Sequence, residues 1–311
     1  MNEIGQAIIK TLAYFEQFGR ALNASELHSL LWRQKCTITQ LTDSLSSDKK
    51  YLFRDRAINI YESERVYGLS EESLTKTIQR QKLLGQRRKE ALKIAEIIVS
   101  TSGVISVIAM NSLVMQTITK ESDLDFLIIV KKGLLYKTRL NILFYLKKAG
   151  LAKSKYNQEG KACLGYWLSE DNLDVKKYQT DKFTAAYWMA TMVPLFGIEG
   201  YKKFIKANLW VYGYLPNWKE HAVGHIEEMQ NAECRIGSTG SLQVQNYGNS
   251  IIEKVAYWVS KVKIMMDPEF RNSKELVVSK DTLKLHSVDK RPGYGKMADE
   301  IASKCRMKNA E

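Results

Sequence analysis

Apolar residues recur along this chain at two spacings, one typical of helices and one typical of strands. Helical spacing predicts three short helices before residue 46, and short apolar runs at 51–53, 58–61 and 66–69 predict β-strands. Residues 71–98 have the composition of one long helix, with acidic residues in its first turn. Residues 103–110 and 126–130 are apolar runs typical of buried strands.

The rest of the chain continues this alternation. Residues 136–149 predict a helix, 162–168 a strand, the aromatic-rich stretch from about 181 to 231 a helical core, and 250–266 another helix. We therefore predict an α/β core over 96–178, preceded by a winged-helix-like domain at 1–70 and a connecting helix at 71–95. A mainly helical C-terminal domain at 179–311 follows. The candidate recognition helix, about 37–45, has no Lys or Arg, so protein contact or packing stays open beside DNA binding.

Composition indicates a folded protein of a reducing compartment. With 311 residues, 45% of them hydrophobic, the chain has room for a sizeable core. Four cysteines lie far apart without C-x-x-C pairing, which fits a cytoplasmic location: Cys36, Cys163, Cys234 and Cys305. We expect no membrane segment, because the longest apolar stretch, 95–110, is interrupted by Ser-Thr-Ser-Gly.

The charge of the chain favours polyanionic partners, since the net charge is +13 and the pI about 9.4. Six cationic residues lie within 80–93: Arg80, Lys82, Arg87, Arg88, Lys89 and Lys93. We interpret this basic ridge as a candidate contact for RNA or DNA. The alternative is a solvated connecting helix whose apolar side packs on the core.

A pair of acids, Asp123 and Asp125, opens the predicted strand at 126–130. Side chains two residues apart in a strand project to the same side, so the two carboxylates repel each other unless a cation binds. Mg²⁺ takes oxygen ligands and often shares one or two carboxylates with substrate phosphates. Ten residues upstream, Asn111 and Ser112 follow the strand at 103–110. A short helix is expected to start there, and the N–H groups of a helix start can hold a phosphate.

Residues 104–130 resemble the signature of the DNA polymerase β-like nucleotidyltransferase superfamily, which is a hydrophobic strand, Gly-Ser, a short interval and Asp-x-Asp opening a second strand. Residues 161–218 and 283–289 are also similar to prokaryotic proteins that join a winged helix to a nucleotidyltransferase domain. The resemblance implies an α/β nucleotidyltransferase core in which Asn111 and Ser112 contact a nucleoside triphosphate. It also implies that Asp123 and Asp125 bind Mg²⁺ or Mn²⁺, and that a nucleoside monophosphate is transferred to an acceptor hydroxyl of RNA, a protein or a small molecule.

Two features depart from the family pattern. Asn111 stands where the family usually has Gly, although Asn tolerates left-handed backbone better than most residues. The family generally places a third carboxylate on a later strand, but the expected strand, 162–168, contains no acid. Glu170, Asp171 and Asp174 lie just beyond that strand and are the candidates. The alternative function is a non-catalytic regulator with a degenerate fold that binds nucleotide or nucleic acid.

Overall fold

The computed structural model describes residues 3–47, 66–154, 156–178, 181–219, 250–268, 270, 273, 276–285 and 291–307. The helices of these residues are α1 Glu3–Glu16, α2 Ala24–Ser29, α3 Ile38–Ser47, α4 Glu71–Val99, α5 Leu135–Lys148, α6 Lys182–Ala190, α7 Ile198–Ala207, α8 Ser250–Met266 and α9 Arg291–Met307. The strands are β1 Leu22–Asn23, β2 Val66–Tyr67, β3 Val104–Met110, β4 Leu124–Val130, β5 Ala162–Ser169, β6 Val193–Phe196, β7 Val277–Val278 and β8 Thr282–Lys284.

A mixed six-stranded sheet lies at the centre, in the order β6-β3-β4-β5-β8-β7. β4 and β5 are parallel, and the other four neighbouring pairs are antiparallel. Parallel strands need a long crossover, and α5 lies between β4 and β5 in the chain. Helices and a mixed sheet make this an α/β protein, as predicted at the level of class. The strand β7 matches a short strand that the sequence predicts near 275–279, whereas β6 lies in the stretch predicted to be a helical core.

Helices cover both faces of the sheet, because alternate residues of its strands point into two cores. The first core contains Ile108, Leu127 and Ile129 and is built with α1, α2, α3, α6, α7 and α9. The second core contains the intervening Phe126 and Ile128 and is built with α4, α5 and α8. The alternation follows from strand geometry, in which successive side chains project to opposite faces.

The N-terminal segment runs in the order α1, β1, α2, α3, β2, and β1 pairs antiparallel with β2. Asn23 caps α2, since its side chain accepts from the Glu26 amide at 2.8 Å while Glu26 accepts from the Asn23 amide at 3.2 Å. The predicted helix at about 37–45 is α3. The predicted strands at 51–53 and 58–61 lie outside the described residues.

The long helix predicted at 71–98 is α4, which runs from Glu71 to Val99. Ser70 caps it, with a side chain that accepts from the Ser73 amide, and two acids in the first turn complement the helix dipole. One side of α4 packs in the second core through Ile94 and Ile98. Across the described chain, no helix combines the length and the apolar character needed to cross a membrane.

Candidate metal and nucleotide site

Three strands bring the predicted site residues to one end of the sheet. β3 and β4 are antiparallel, so the end of β3 lies beside the start of β4, and Met110 pairs with Asp125. β5 is parallel to β4, so the two strands start side by side, with Cys163 opposite Asp125. The turn that begins at Asn111, the two acids and the start of β5 therefore meet.

Asp123, Asp125 and Cys163 form a group that we call the Asp-Asp-Cys cluster. One ligand atom from each side chain lies within 4.8 Å of the other two, and all three residues are half-buried. Within the part of the chain that the structure describes, no other group of three His, Cys, Asp or Glu side chains meets this condition. The two predicted metal ligands are thus close together, and a thiol that was not predicted joins them.

Asn111 links the turn to the cluster. Its φ is 59°, in the left-handed region that its side chain makes accessible. Its Oδ1 accepts from the indole N–H of Trp188 at 3.0 Å, and because an indole can only donate, the amide nitrogen of Asn111 is left to donate to Asp125. The prediction that Asn111 can take a left-handed backbone conformation is confirmed.

The segment after Asn111 is a series of hydrogen-bonded turns and not the short helix predicted. The Met115 amide donates to the Asn111 carbonyl and the Thr117 amide to that of half-buried Ser112, each at 2.9 Å. The amides of residues 112–114 come before the first amide donor of these bonds, Met115. They correspond in position to the first N–H groups of a helix, which have no partner within the helix. Gln116 has a φ of 54° and donates to Glu26 of α2 at 3.3 Å.

Negative charge is concentrated in the cluster. Burial, followed by the charge of Asp123, raises the pKa of Asp125 to about 6. Burial, with Asp125 and Asp123 adding to it, raises the pKa of the Cys163 thiol well above its usual value. Lys153 Nζ lies 2.6 Å from Asp123 Oδ2. Burial acts to lower the pKa of Lys153, but the hydrogen bond to Asp123 and the neighbouring negative charges outweigh it and raise this pKa.

The sequence-based candidates for a third carboxylate lie at the wrong end of β5. Because β5 runs parallel to β4, the residues after β5 meet the end of β4, whereas Asp125 is at its start. The Glu170 amide donates to the Val130 carbonyl at 2.9 Å, and Asp171 pairs with Lys132 at 3.1 Å. Val130 lies five residue steps along β4 from Asp125, a distance of roughly 17 Å. Asp174 lies further along the chain, where it accepts from the Lys176 amide.

Sequence reasoning missed Cys163 and Lys153. In the sequence, Cys163 is interpreted only as a sign of a reducing compartment, although it stands one residue inside the strand expected to carry the third acid. Lys153 reaches the site because residue 152 forms a bridge with residue 162 at the start of β5. Cys163 had a signal in its position on that strand, whereas nothing in the local pattern around Lys153 indicates this contact.

Arg87 of α4, a member of the predicted basic ridge, is buried and contacts the segments next to the cluster. Its side chain is 4% exposed. It donates to the Lys120 carbonyl at 2.8 Å, to Glu159 at 3.0 Å and to Glu90 at 2.6 Å. These contacts hold the segments that lead into Asp123 and into Cys163. Arg87 is therefore not on the exposed side of the predicted basic ridge.

Other residues of the basic ridge differ in whether they make structural contacts or face solvent. Arg80 donates to the Gly19 carbonyl at 2.7 Å, so it too has a structural contact. Lys82, Lys89 and Lys93 are exposed, and their spacing of seven and four residues places them on one face of α4. We call these three residues the lysine face.

A scan against protein-family models, a search of curated proteins and a search of solved structures each return no match for this chain.

Proposed function

We propose that this chain is a nucleotidyltransferase that moves a nucleoside monophosphate from a nucleoside triphosphate to an acceptor hydroxyl with the aid of a divalent cation. The observation that carries the proposal is the meeting of Asp123 and Asp125 with the Asn111 turn at one end of the sheet. Paired carboxylates beside backbone amides suit a triphosphate and its cation. The order α1, β1, α2, α3, β2 supports a winged-helix-like N-terminal domain.

The donors of the Asp-Asp-Cys cluster fit a divalent cation, because their ligand atoms lie within 4.8 Å of one another and carry negative charge that lacks a full counterion. Asp123 and Asp125 would hold the cation. When bound, it would neutralise charge on the triphosphate and lower the pKa of the attacking hydroxyl. Asn111, Ser112 and the amides that follow them would hold the β- and γ-phosphates, and Trp188 would keep Asn111 in place.

The test is transfer of label from nucleoside triphosphates labelled at the α-phosphate, incubated with the protein, Mg²⁺ or Mn²⁺, and cell extract. Label should appear on a macromolecule or metabolite, because the α-phosphate stays with the transferred group. Asp125→Asn should abolish transfer, since it removes an anionic metal ligand. Asp171→Asn is the matched control, as this acid lies at the opposite end of β5, and it should transfer normally.

A second candidate function is a non-catalytic regulator that binds nucleotide or nucleic acid. The observation that favours it is the thiol of Cys163 at the place where the resemblance implies a third carboxylate. Under this alternative, calorimetry would detect cation-dependent binding of a triphosphate, weakened by Asp125→Asn, while no label reaches any acceptor. Triphosphate binding with equal affinity in chelator would contradict the cation dependence and with it the proposed transfer.

A further inference from the structure

The donor chemistry of the Asp-Asp-Cys cluster does not match Mg²⁺ fully. Mg²⁺ requires oxygen ligands in near-octahedral geometry and loses its water reluctantly. A thiolate is a soft ligand that favours transition-metal ions such as Zn²⁺. Adding a thiolate to a site of oxygen ligands therefore shifts its preference from Mg²⁺ toward these ions. The third ligand atom of this cluster is the Cys163 sulfur.

The position of Cys163 is set by the fold. The parallel register of β4 and β5 places it opposite Asp125, and its thiol hydrogen-bonds to the Asp125 carboxylate. Cys163 is half-buried, and its sulfur lies beside both carboxylates. Cys36 offers a contrast, because its sulfur is 4.0 Å from the Asn217 amide nitrogen and belongs to no such cluster among the described residues.

We propose that Cys163 is the third protein ligand of a divalent transition-metal ion, and that the cluster therefore selects ions such as Zn²⁺ or Co²⁺ over Mg²⁺. The proposal concerns the cation site of the proposed function but does not depend on catalysis. On binding, the S–H bond breaks, its proton leaves to solvent and its electron pair forms the metal–sulfur bond. The Lys153 ammonium, 2.6 Å from Asp123, gives up this contact to the incoming cation.

The direct test is Co²⁺ titration of the full chain, with a reductant that does not bind metal and with Cys36, Cys234 and Cys305 replaced by Ser. A thiolate on Co²⁺ produces an intense near-ultraviolet charge-transfer band that carboxylates alone do not produce. The band should saturate at one equivalent in this parent. It should vanish in Cys163→Ser, while circular dichroism reports whether that variant is folded.

Calorimetry with Zn²⁺ and Mg²⁺ provides the second readout. Cys163→Ser should weaken Zn²⁺ binding by about 10-fold to 100-fold, the range seen when even an outer partner of a metal is removed. Cys163→Asp, which gives the cluster three carboxylates, should lower Zn²⁺ affinity and raise Mg²⁺ affinity. The second variant keeps an anionic ligand at this position, so it separates ligand chemistry from loss of charge.

The outcomes distinguish this inference from the proposed function. Co²⁺ binding without the band, no Co²⁺ binding, or a Zn²⁺ affinity unchanged by Cys163→Ser overturns the inference, whether or not label transfer occurs. The band together with weakened Zn²⁺ binding in Cys163→Ser supports it, even if no nucleoside triphosphate binds and the proposed function fails.

Discussion

At the scale of single residues, the balance of charge around Asp125 distinguishes this site. Asp125 accepts hydrogen bonds from Asn111 and Cys163, yet burial and the neighbouring Asp123 still raise its pKa to about 6. Lys153 contacts Asp123 and so neutralises only part of the charge. Without a bound cation, ionisation of Asp125 is therefore less favourable in the folded protein than in the unfolded chain.

This pKa shift gives a prediction for metal-free protein in chelator. Between about 4, the ordinary pKa of Asp, and about 6, the pKa of Asp125 in the fold, the folded state holds a proton that the unfolded chain has released. This group's contribution to the free energy of unfolding should therefore fall as pH rises through that window, by up to about 3 kcal/mol, and be constant above it. Denaturant titrations of wild type and Asp125→Asn at pH 4.5 to 7.5 measure it. Parallel pH curves for the two proteins would contradict it.

Lys153 gives a second prediction at this scale. Its ammonium lies 2.6 Å from Asp123 and must move away from a bound cation. Lys153→Met should therefore strengthen Mn²⁺ or Zn²⁺ binding, by several-fold if displacing the partly exposed pair costs about 1 kcal/mol. Lys161→Met is the control, because Lys161 donates to the Gly150 carbonyl and not to an acid. Weaker cation binding in Lys153→Met, measured by calorimetry, would show that Lys153 supports the cation.

At the scale of elements, the sequence predicts each segment better than it predicts the alignment between segments. The helix α4 and the strands β3, β4 and β5 lie where local periodicity places them, because each buries its own apolar pattern. The pairing of Cys163 with Asp125 depends on how two strands separated by α5 align in the finished core. No pattern within either strand contains that register, so the sequence points to acids beyond the far end of β5 as the third carboxylate.

The contacts of Arg87 give a prediction for α4. Its guanidinium contacts Glu90, Glu159 and the Lys120 carbonyl from a position with 4% side-chain exposure. Arg87→Ala should lower the free energy of unfolding by about 1.5–3 kcal/mol, because the hydrogen bonds of a buried charged side chain are lost, while Glu90 and Glu159 stay accessible to water. It should also weaken cation binding, since the segments before Asp123 and before Cys163 each lose a hydrogen bond to Arg87. Lys89→Ala, an exposed change two residues away, should leave urea unfolding and cation binding unchanged.

At the scale of the whole molecule, the first core contains residues of α1, of α9 and of the turn that begins at Asn111. Tyr14 of α1 stacks on Tyr187 of α6 with ring centroids 4.4 Å apart, and Lys10 pairs with Asp299 of α9 at 2.7 Å. The Asn111 turn also contributes Met115 to this core. The N-terminal helices therefore pack in the same core as one face of the central sheet.

The net charge of +13 gives a prediction at the same scale. If nucleic acid is the acceptor, changing Lys82, Lys89 and Lys93 to Glu should weaken RNA or DNA binding and flatten its salt dependence. The log–log slope should change by roughly 0.7–0.9 for each phosphate that the protein no longer neutralises. Changing Lys202, Lys203 and Lys206 of α7, which are also exposed, alters net charge equally and is the control. Fluorescence anisotropy across salt concentrations measures both, and equally weakened binding in the two variants would indicate attraction by overall charge alone.

The parallel pairing of β4 and β5 would also make binding of the proposed cation depend on correct folding of the sheet. Cys163 is flanked by Ala162 and Leu164, and a shift of β5 by one residue would turn the thiol to the other face and set an apolar side chain opposite Asp125. A cation held by all three ligands would bind only the correctly aligned sheet and would stabilise it by mass action. The cation would then penalise misaligned sheets during refolding, before any substrate is present.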